Sequence, residues 1–157
     1  MFVTSAVRVG RTDAKRGSCM KADENKALIE KMGASQSPDE TLSFWADDGV
    51  WIIPGTTKWS GTYRGKKEIL EKLLEPITAE MASMGSVTVD NVIADDDCVV
   101  MQARAHDRMT TTGKPYNNTY CLVYRIVDSK VQELTEYCDT ELVTAAFGMP
   151  EGSSQPG

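Results

Sequence analysis

The sequence predicts an α+β domain: a mostly antiparallel sheet curling around about three helices to make a cup. The order of elements is the first reason. Two helix-like segments and a strand come first, a third helical stretch follows, and the remainder reads as a meander of long strands. The second reason is that those strands alternate apolar and polar residues, the period of a sheet with one buried face. The third is the turn chemistry between them, at Asp95-Asp96-Asp97, at the polar turn 109–114 around Gly113, and at Val127-Asp128-Ser129-Lys130.

The elements follow in order. Asp23 is placed to cap a helix over about 24–32, with Leu28, Ile29 and Met32 as its apolar face and Gly33 as its stop. Ser37-Pro38-Asp39-Glu40 is a second helix start: a Ser cap, Pro in the first turn, and acids at the positive helix end. Its apolar positions are Leu42, Phe44 and Trp45, and it should end by Asp47-Asp48-Gly49. Val50-Trp51-Ile52-Ile53 reads as a strand closed by Pro54-Gly55. A short extended piece, 59–65, leads into a helical pattern over 66–84. Ile69, Leu70, Leu73 and Leu74 form its stripe, and Pro76 should kink or split it. Strands are expected over about 87–94, 98–109, 115–126 and 131–139, then a short helix over 141–147.

A chain of 157 residues without repeat or linker suggests one domain, here 21–148, between tails at 1–20 and 149–157. The net charge of −6 repels phosphate backbones and anionic headgroups, so neither nucleic acid nor a membrane surface is an expected partner. No apolar run approaches the ~18 residues a spanning helix needs. A cytoplasmic location is expected, with one qualification. The first tail carries Arg8, Arg11, Lys15 and Arg16 against Asp13 alone. It reads as a disordered extension, as a start chosen ahead of Met20, or as an organelle transit segment. The four cysteines, Cys19, Cys98, Cys121 and Cys138, form no C-x-x-C pair, and His106 is the single histidine. That excludes a clustered zinc site, and the last three cysteines read as free thiols buried in strands. No metal or cofactor is expected. Asn117-Asn118-Thr119 fits the glycosylation acceptor pattern by chance.

Strand alternation sorts the faces. Over 115–126 the larger, more aromatic face is Tyr116, Asn118, Tyr120, Leu122, Tyr124 and Ile126, and belongs inside. Over 98–109 the inner set is Val99, Met101, Ala103, Ala105 and Asp107, which puts His106 outside. Cys121 and Val123 leave the outer face only semi-polar, which suggests partial cover by a second subunit. On the last strand, pattern alone does not choose between Leu134, Glu136, Cys138 and the alternate set. If Leu134 points inward, so does Glu136. A carboxyl there would be desolvated and its pKa pushed up, a candidate general acid or base.

Two groups of residues carry a family resemblance. Trp51-Ile52-Ile53-Pro54-Gly55 with Ser60-Gly61-Thr62-Tyr63-Arg64-Gly65 resembles the strand-and-loop signature of SnoaL-like proteins, a branch of the nuclear-transport-factor-2-like superfamily. Gly113-Lys114-Pro115-Tyr116-Asn117-Asn118-Thr119-Tyr120 and Glu136-Tyr137-Cys138-Asp139-Thr140 resemble their closing strands. The resemblance spans roughly residues 21–148. It implies a cone-shaped cup for one apolar small molecule, and a homodimer. Within the superfamily, the Arg-x-Asp pair of limonene-epoxide hydrolases would fall on Ala103-Arg104-Ala105, leaving Glu136 as counterpart of their second acid alone. The base of ketosteroid isomerases would fall on Ile53, and their buried donor near Asn118. The acid of polyketide cyclases has candidates in Glu136 and Asp107, without an inward histidine.

The resemblance therefore implies a cofactor-free isomerase, dehydratase or cyclase working by proton transfer. Glu136 is the candidate base or acid, and Asn118 and Tyr120 the candidate oxyanion donors. Trp59 and Tyr63 would line the mouth, and Met101, Asp107, Leu122 and Leu134 the substrate wall. Two other readings use the same fold: a non-catalytic carrier of a hydrophobic ligand, and a dimeric interaction module working through the outer sheet.

Overall fold

The computed structural model describes residues 17–150 and Gly152, with side chains from Lys21 onward. Most of the basic tail and most of the last residues fall outside that range, and Cys19 precedes the first described side chain. Helix α1 (Gly17–Gly33) starts earlier than expected, so Asp23 lies inside it and is not its cap. Asn25, Ile29 and Met32 form its buried face at helical spacing. Asn25 donates to the carbonyl of Asp96 at 2.9 Å, and Lys21 pairs with the Asp96 carboxylate at 3.2 Å. Helix α2 (Pro38–Ser43) begins as expected, its Ser37 hydroxyl accepting the Glu40 N–H at 3.2 Å.

The helix does not continue to Asp48. Strand β1 (Trp45–Ile53) takes over, because Trp45 pairs with Val131 and stacks on Trp51 with ring centroids 5.3 Å apart. The register shifts between Trp45 and Val50, a bulge that turns Asp47 and Asp48 out to solvent. Tertiary pairing outweighs a helical pattern carried by few residues. Strand β2 (Gly61–Arg64) returns antiparallel along β1.

Helix α3 (Gly65–Ile69) runs into a π-helical turn at Leu70–Leu74 and then α4 (Glu75–Ala79). The break predicted at Pro76 takes this form: a proline lacks an N–H and crowds the carbonyl four residues back, and a widened turn relieves both. Helix does not extend to Met84. Met81–Ser83 is strand β3 instead, paired with β6 (Met109–Thr110) in a separate two-stranded sheet.

The main sheet also holds β4 (Ser86–Asp95), β5 (Cys98–His106), β7 (Thr119–Val127) and β8 (Lys130–Cys138), in the order β2-β1-β8-β7-β5-β4. Every pairing is antiparallel except β1 with β8. Helix α5 (Thr140–Phe147), capped by the Asp139 carboxylate, closes one end. The expected inner faces are buried at Val99, Met101, Ala103, Ala105, Tyr120, Tyr124 and Ile126. Among the described residues no helix is long and apolar enough to cross a membrane.

Two strand ends differ from expectation. β5 stops at His106 because Asp107 adopts a left-handed conformation, φ 56°, which ends the alternation. β7 begins at Thr119, since residues 115–118 make only an isolated bridge between Pro115 and Met109. Gly85 lies across the Asp107 turn with φ 54°, and a Cβ there would run into the carbonyl oxygen of His106. Gly113 also has a positive φ, 79°, but open space around it. Gly113→Ala should therefore cost only the conformational strain, about 1 kcal/mol. Gly85→Ala should cost clearly more in urea unfolding. Equal midpoints for the two variants would contradict this account of the turn.

Candidate functional site

Strand register builds the interior. On β8, Leu134 is buried in the main core and faces Tyr124 across β7, so Glu136 and Cys138, two and four residues on, share its inward face. Glu136 lies opposite Leu122, which lies opposite Met101 on β5. Tyr120 lies between Ala103 and Cys138. β1 adds Trp51, opposite Leu134 on one side and Tyr63 on the other. Leu70 and Leu74, from the π-helical turn, pack against this core as a lid of helix.

Glu136 is surrounded by protein yet not fully sealed from solvent. Its hydrogen-bond partner is the Trp51 indole, whose N–H donates to Oε2 at 3.1 Å. Burial pushes its pKa up to about 7, against the smaller opposing pull of the Trp51 N–H and the Arg108 charge. Burial also raises Tyr120 well above the ordinary phenol range, keeping the phenol protonated. Cys138, beside Glu136, is pushed up to about 11 by burial and by the carboxylate, which makes it a poor nucleophile at neutral pH.

Arg108 is the residue that sequence reasoning missed. Simple alternation places Asp107 inside, but the left-handed Asp107 turns the chain, leaving Asp107 exposed and Arg108 half-buried. Asp107 is therefore not part of the substrate wall. Arg108 Nη1 donates to the Tyr120 hydroxyl at 3.0 Å, and Nε donates to the Met84 carbonyl at 3.0 Å. Its guanidinium lies 5.9 Å from the Tyr120 ring centroid. The turn-forming preference of Asp was the one local signal that pointed this way.

Asn118 also departs from expectation. It is fully buried, but Nδ2 donates to the Asp139 carbonyl at 3.0 Å and, at 3.4 Å, to the Tyr116 hydroxyl. Its Oδ1 accepts the N–H groups of Thr119 at 2.8 Å and Asp139 at 2.9 Å. The amide is committed to fastening the start of β7 to the cap of α5, which leaves no donor for an oxyanion. Trp59 is buried under α5, edge-on to Phe147 at 5.5 Å, so it forms a floor and not a mouth. Tyr63 is half-buried and spends its hydroxyl on the Trp59 carbonyl at 3.0 Å. Met101 and Leu134 are buried, and Leu122 is half-buried beside Glu136.

Two surface depressions are lined by none of Glu136, Tyr120 and Arg108, although the second reaches Leu70. One, of about 180 Å³, is lined by Glu80, Thr110, Lys114 and Phe147; the other, of about 350 Å³, by Leu42, Lys66 and Leu70 among others. Among the described residues no three His, Cys, Asp or Glu side chains group as a metal site.

A buried acid with a raised pKa binds more protons folded than unfolded between its two pKa values. Stability therefore falls as pH rises from about 4.5 to about 7 and stays lowered above that. The ionised carboxyl costs the fold on the order of 3 kcal/mol at pH 8. Glu136→Gln keeps an acceptor for Trp51 and removes that cost. The variant should be more stable than the parent by ~1–3 kcal/mol at pH 8 and about equal at pH 4, read from urea unfolding. A constant difference across that range would contradict the assignment.

Comparison with known proteins places the chain in a family. The SnoaL-like domain matches residues 26–134. The search of curated protein sequences gave no significant match. Among solved structures, an NTF2-like protein from Burkholderia thailandensis is 21% identical, with a TM-score of 0.69 over 78% of this chain and 95% of that one. TerC, co-crystallised with polyporic acid, is 18% identical, with a TM-score of 0.66 over 78% of this chain and 97% of that one. A Catenulispora acidiphila protein with a ketosteroid isomerase-like fold, in complex with trimethylamine, is 17% identical, with a TM-score of 0.62 over 83% and 97%. At these identities the solved structures speak for the fold. The chain belongs to the SnoaL-like domain family, on a nuclear-transport-factor-2-like fold.

Proposed function

We propose that this protein is a cofactor-free acid–base enzyme that moves a proton on a small, largely apolar molecule held over the inner sheet face. The observation that carries the reading is Glu136: a carboxyl inside an apolar wall, held by one indole N–H and by no ion pair within 4.0 Å among the described residues. A group that titrates near the working pH serves equally as base and acid.

The chemistry follows from the neighbours. As a carboxylate, Glu136 removes a proton from the carbon beside a substrate carbonyl. The released electron pair moves onto the carbonyl oxygen, giving an enolate. Tyr120 supplies the oxyanion donor: its oxygen accepts from Arg108, and its own O–H, which donates to the Tyr116 hydroxyl in the free protein, rotates to the enolate. The role expected of Asn118 thus passes to the Tyr120–Arg108 pair. Glu136, now protonated, returns the proton to a second carbon for isomerisation, or to a departing hydroxyl for dehydration. Leu122, Met101, Leu70 and Leu74 exclude water from the enolate that develops. TerC is co-crystallised with polyporic acid and the Catenulispora protein is in complex with trimethylamine, so neighbouring folds hold small molecules. Carriage without turnover is the second reading, favoured by the commitment of the Asn118 amide.

Exchange of α-protons on a simple enolisable ketone separates the two. With 2-tetralone in D2O, followed by proton NMR, the protein should accelerate exchange. The rate should rise with pH through about 7 and then level off, as the carboxylate form of Glu136 fills. Glu136→Gln should lose at least ~100-fold of the accelerated rate. An unchanged rate in that variant would reject Glu136 as the base, and no acceleration in the parent would favour carriage.

A further inference from the structure

The outer face of the main sheet carries two cross-strand rows that are complementary to themselves. β8 and β7 are the middle strands of six, so the line between them is the midline of the sheet. One row of ladder partners crosses it, from β2 to β4, as Thr62, Ile52, Thr135, Val123, Val100 and Ile93. Their chain neighbours Trp51, Leu134 and Val99 pack in the main core, so this row lies on the outer face. None of its apolar members joins either core cluster, and Ile93 is 56% exposed. An uncovered apolar row across a whole sheet marks a contact surface.

The next outer row carries charge. From β2 to β4 it reads Arg64, Val50, Glu133, Arg125, Cys98 and Asp95. Glu133 and Arg125 flank the midline, and Arg64 and Asp95 stand at the two ends. Among the described residues none of these four side chains makes an ion pair within 4.0 Å.

A two-fold axis laid along the midline sets each strand against its mirror strand in a second copy: β7 on β8, β5 on β1, β4 on β2. The charged row then meets itself in opposite sign. Arg125 falls on the partner's Glu133, and Arg64 on the partner's Asp95. In the apolar row Val100 falls on the partner's Ile52, and Val123 on the partner's Thr135. Moving the axis by half a strand would set Arg125 on the partner's Arg125, or Glu133 on the partner's Glu133. Among axes along these strands, the midline is thus selected by charge. Two twisted sheets pack aligned within about 30°, ~10 Å apart, and apolar side chains with a charged row beside them suit that spacing. Six strands of this length present roughly 700 Å², close to the ~800 Å² each partner gives to a standard interface.

We propose that the outer sheet face binds a second copy of this chain about a two-fold axis along the β7–β8 midline, its register set by reciprocal Arg125–Glu133 pairs. This is independent of the chemistry on the inner face.

Sedimentation velocity of the full chain tests it. The parent should sediment at the mass of two chains. Arg125→Glu alone, or Glu133→Arg alone, sets like charges face to face twice per dimer and should weaken association at least ~tenfold. Mixed in equal amounts, the two variants should regain the two-chain mass, because each chain supplies the sign the other lacks. A charge pair acting within one chain, where the two residues are ladder neighbours, gains nothing from mixing. A parent that sediments as one chain, single variants that associate as the parent does, or a mixture no tighter than its components would overturn the proposal. If a variant does not fold, isotope-filtered NOE spectra of the parent still decide. In dimers of one labelled and one unlabelled chain, the Val100 methyls should contact the partner's Ile52. Within one chain those residues lie three strands apart, ~14 Å, so absence of that cross-chain contact would overturn the axis.

Discussion

The site depends on one constraint: β8 has a side-chain period of two, and it is zipped into two ladders at once. Antiparallel pairing with β7 and parallel pairing with β1 leave it no freedom to rotate. Leu134 is needed in the core, at 2% exposure, and the period then carries Glu136 inside with it. Moving the carboxyl to solvent would move Leu134 out as well. A surface glutamate would cost nothing, whereas this one lowers stability above neutral pH. Such a cost is tolerated where a titrating carboxyl has a use.

A second constraint sets the other charge. The left-handed turn at Asp107, made possible by close approach of Gly85, reverses the face on which the next side chain lies. Arg108 is brought inward onto Tyr120, and Asn118 fastens the segment behind it to the α5 cap. Glu136, from β8, and Arg108, from the turn after β5, thus approach the same interior, each fixed by backbone geometry and not by contact with the other. Apolar and aromatic side chains from β1, β5, β7 and the π-helical turn pack around them.

Much of this was legible in the sequence where it depended on local rules. The Ser37-Pro38 start, the acidic turn at Asp95-Asp96-Asp97, and the inner alternation of Val99 through Ala105 are all encoded within a few residues. The inward set of β7 was readable from size alone, Tyr120, Tyr124 and Ile126 against Cys121 and Arg125. What was not legible depended on distant partners. Trp45 reads as the end of a helix until Val131 is there to pair with it. Asn118 reads as a free amide donor until Asp139 arrives from the far end of β8. Asp107 reads as inward by alternation, because a single left-handed residue leaves the composition of the strand unchanged while swapping its faces. The phase of β8 was ambiguous in sequence for the same reason, and pairing resolved it.

The chemistry of the inner face turns on a desolvated Glu136 carboxyl. The most direct measurement is the side-chain carboxyl carbon shift of Glu136, followed by NMR in protein labelled at glutamate and assigned by its absence in Glu136→Gln. The account expects an inflection near pH 7, shared by the indole N–H resonance of Trp51. An inflection near the ordinary value of 4.5, with Trp51 silent, would mean the carboxyl is solvated, and would contradict the claim.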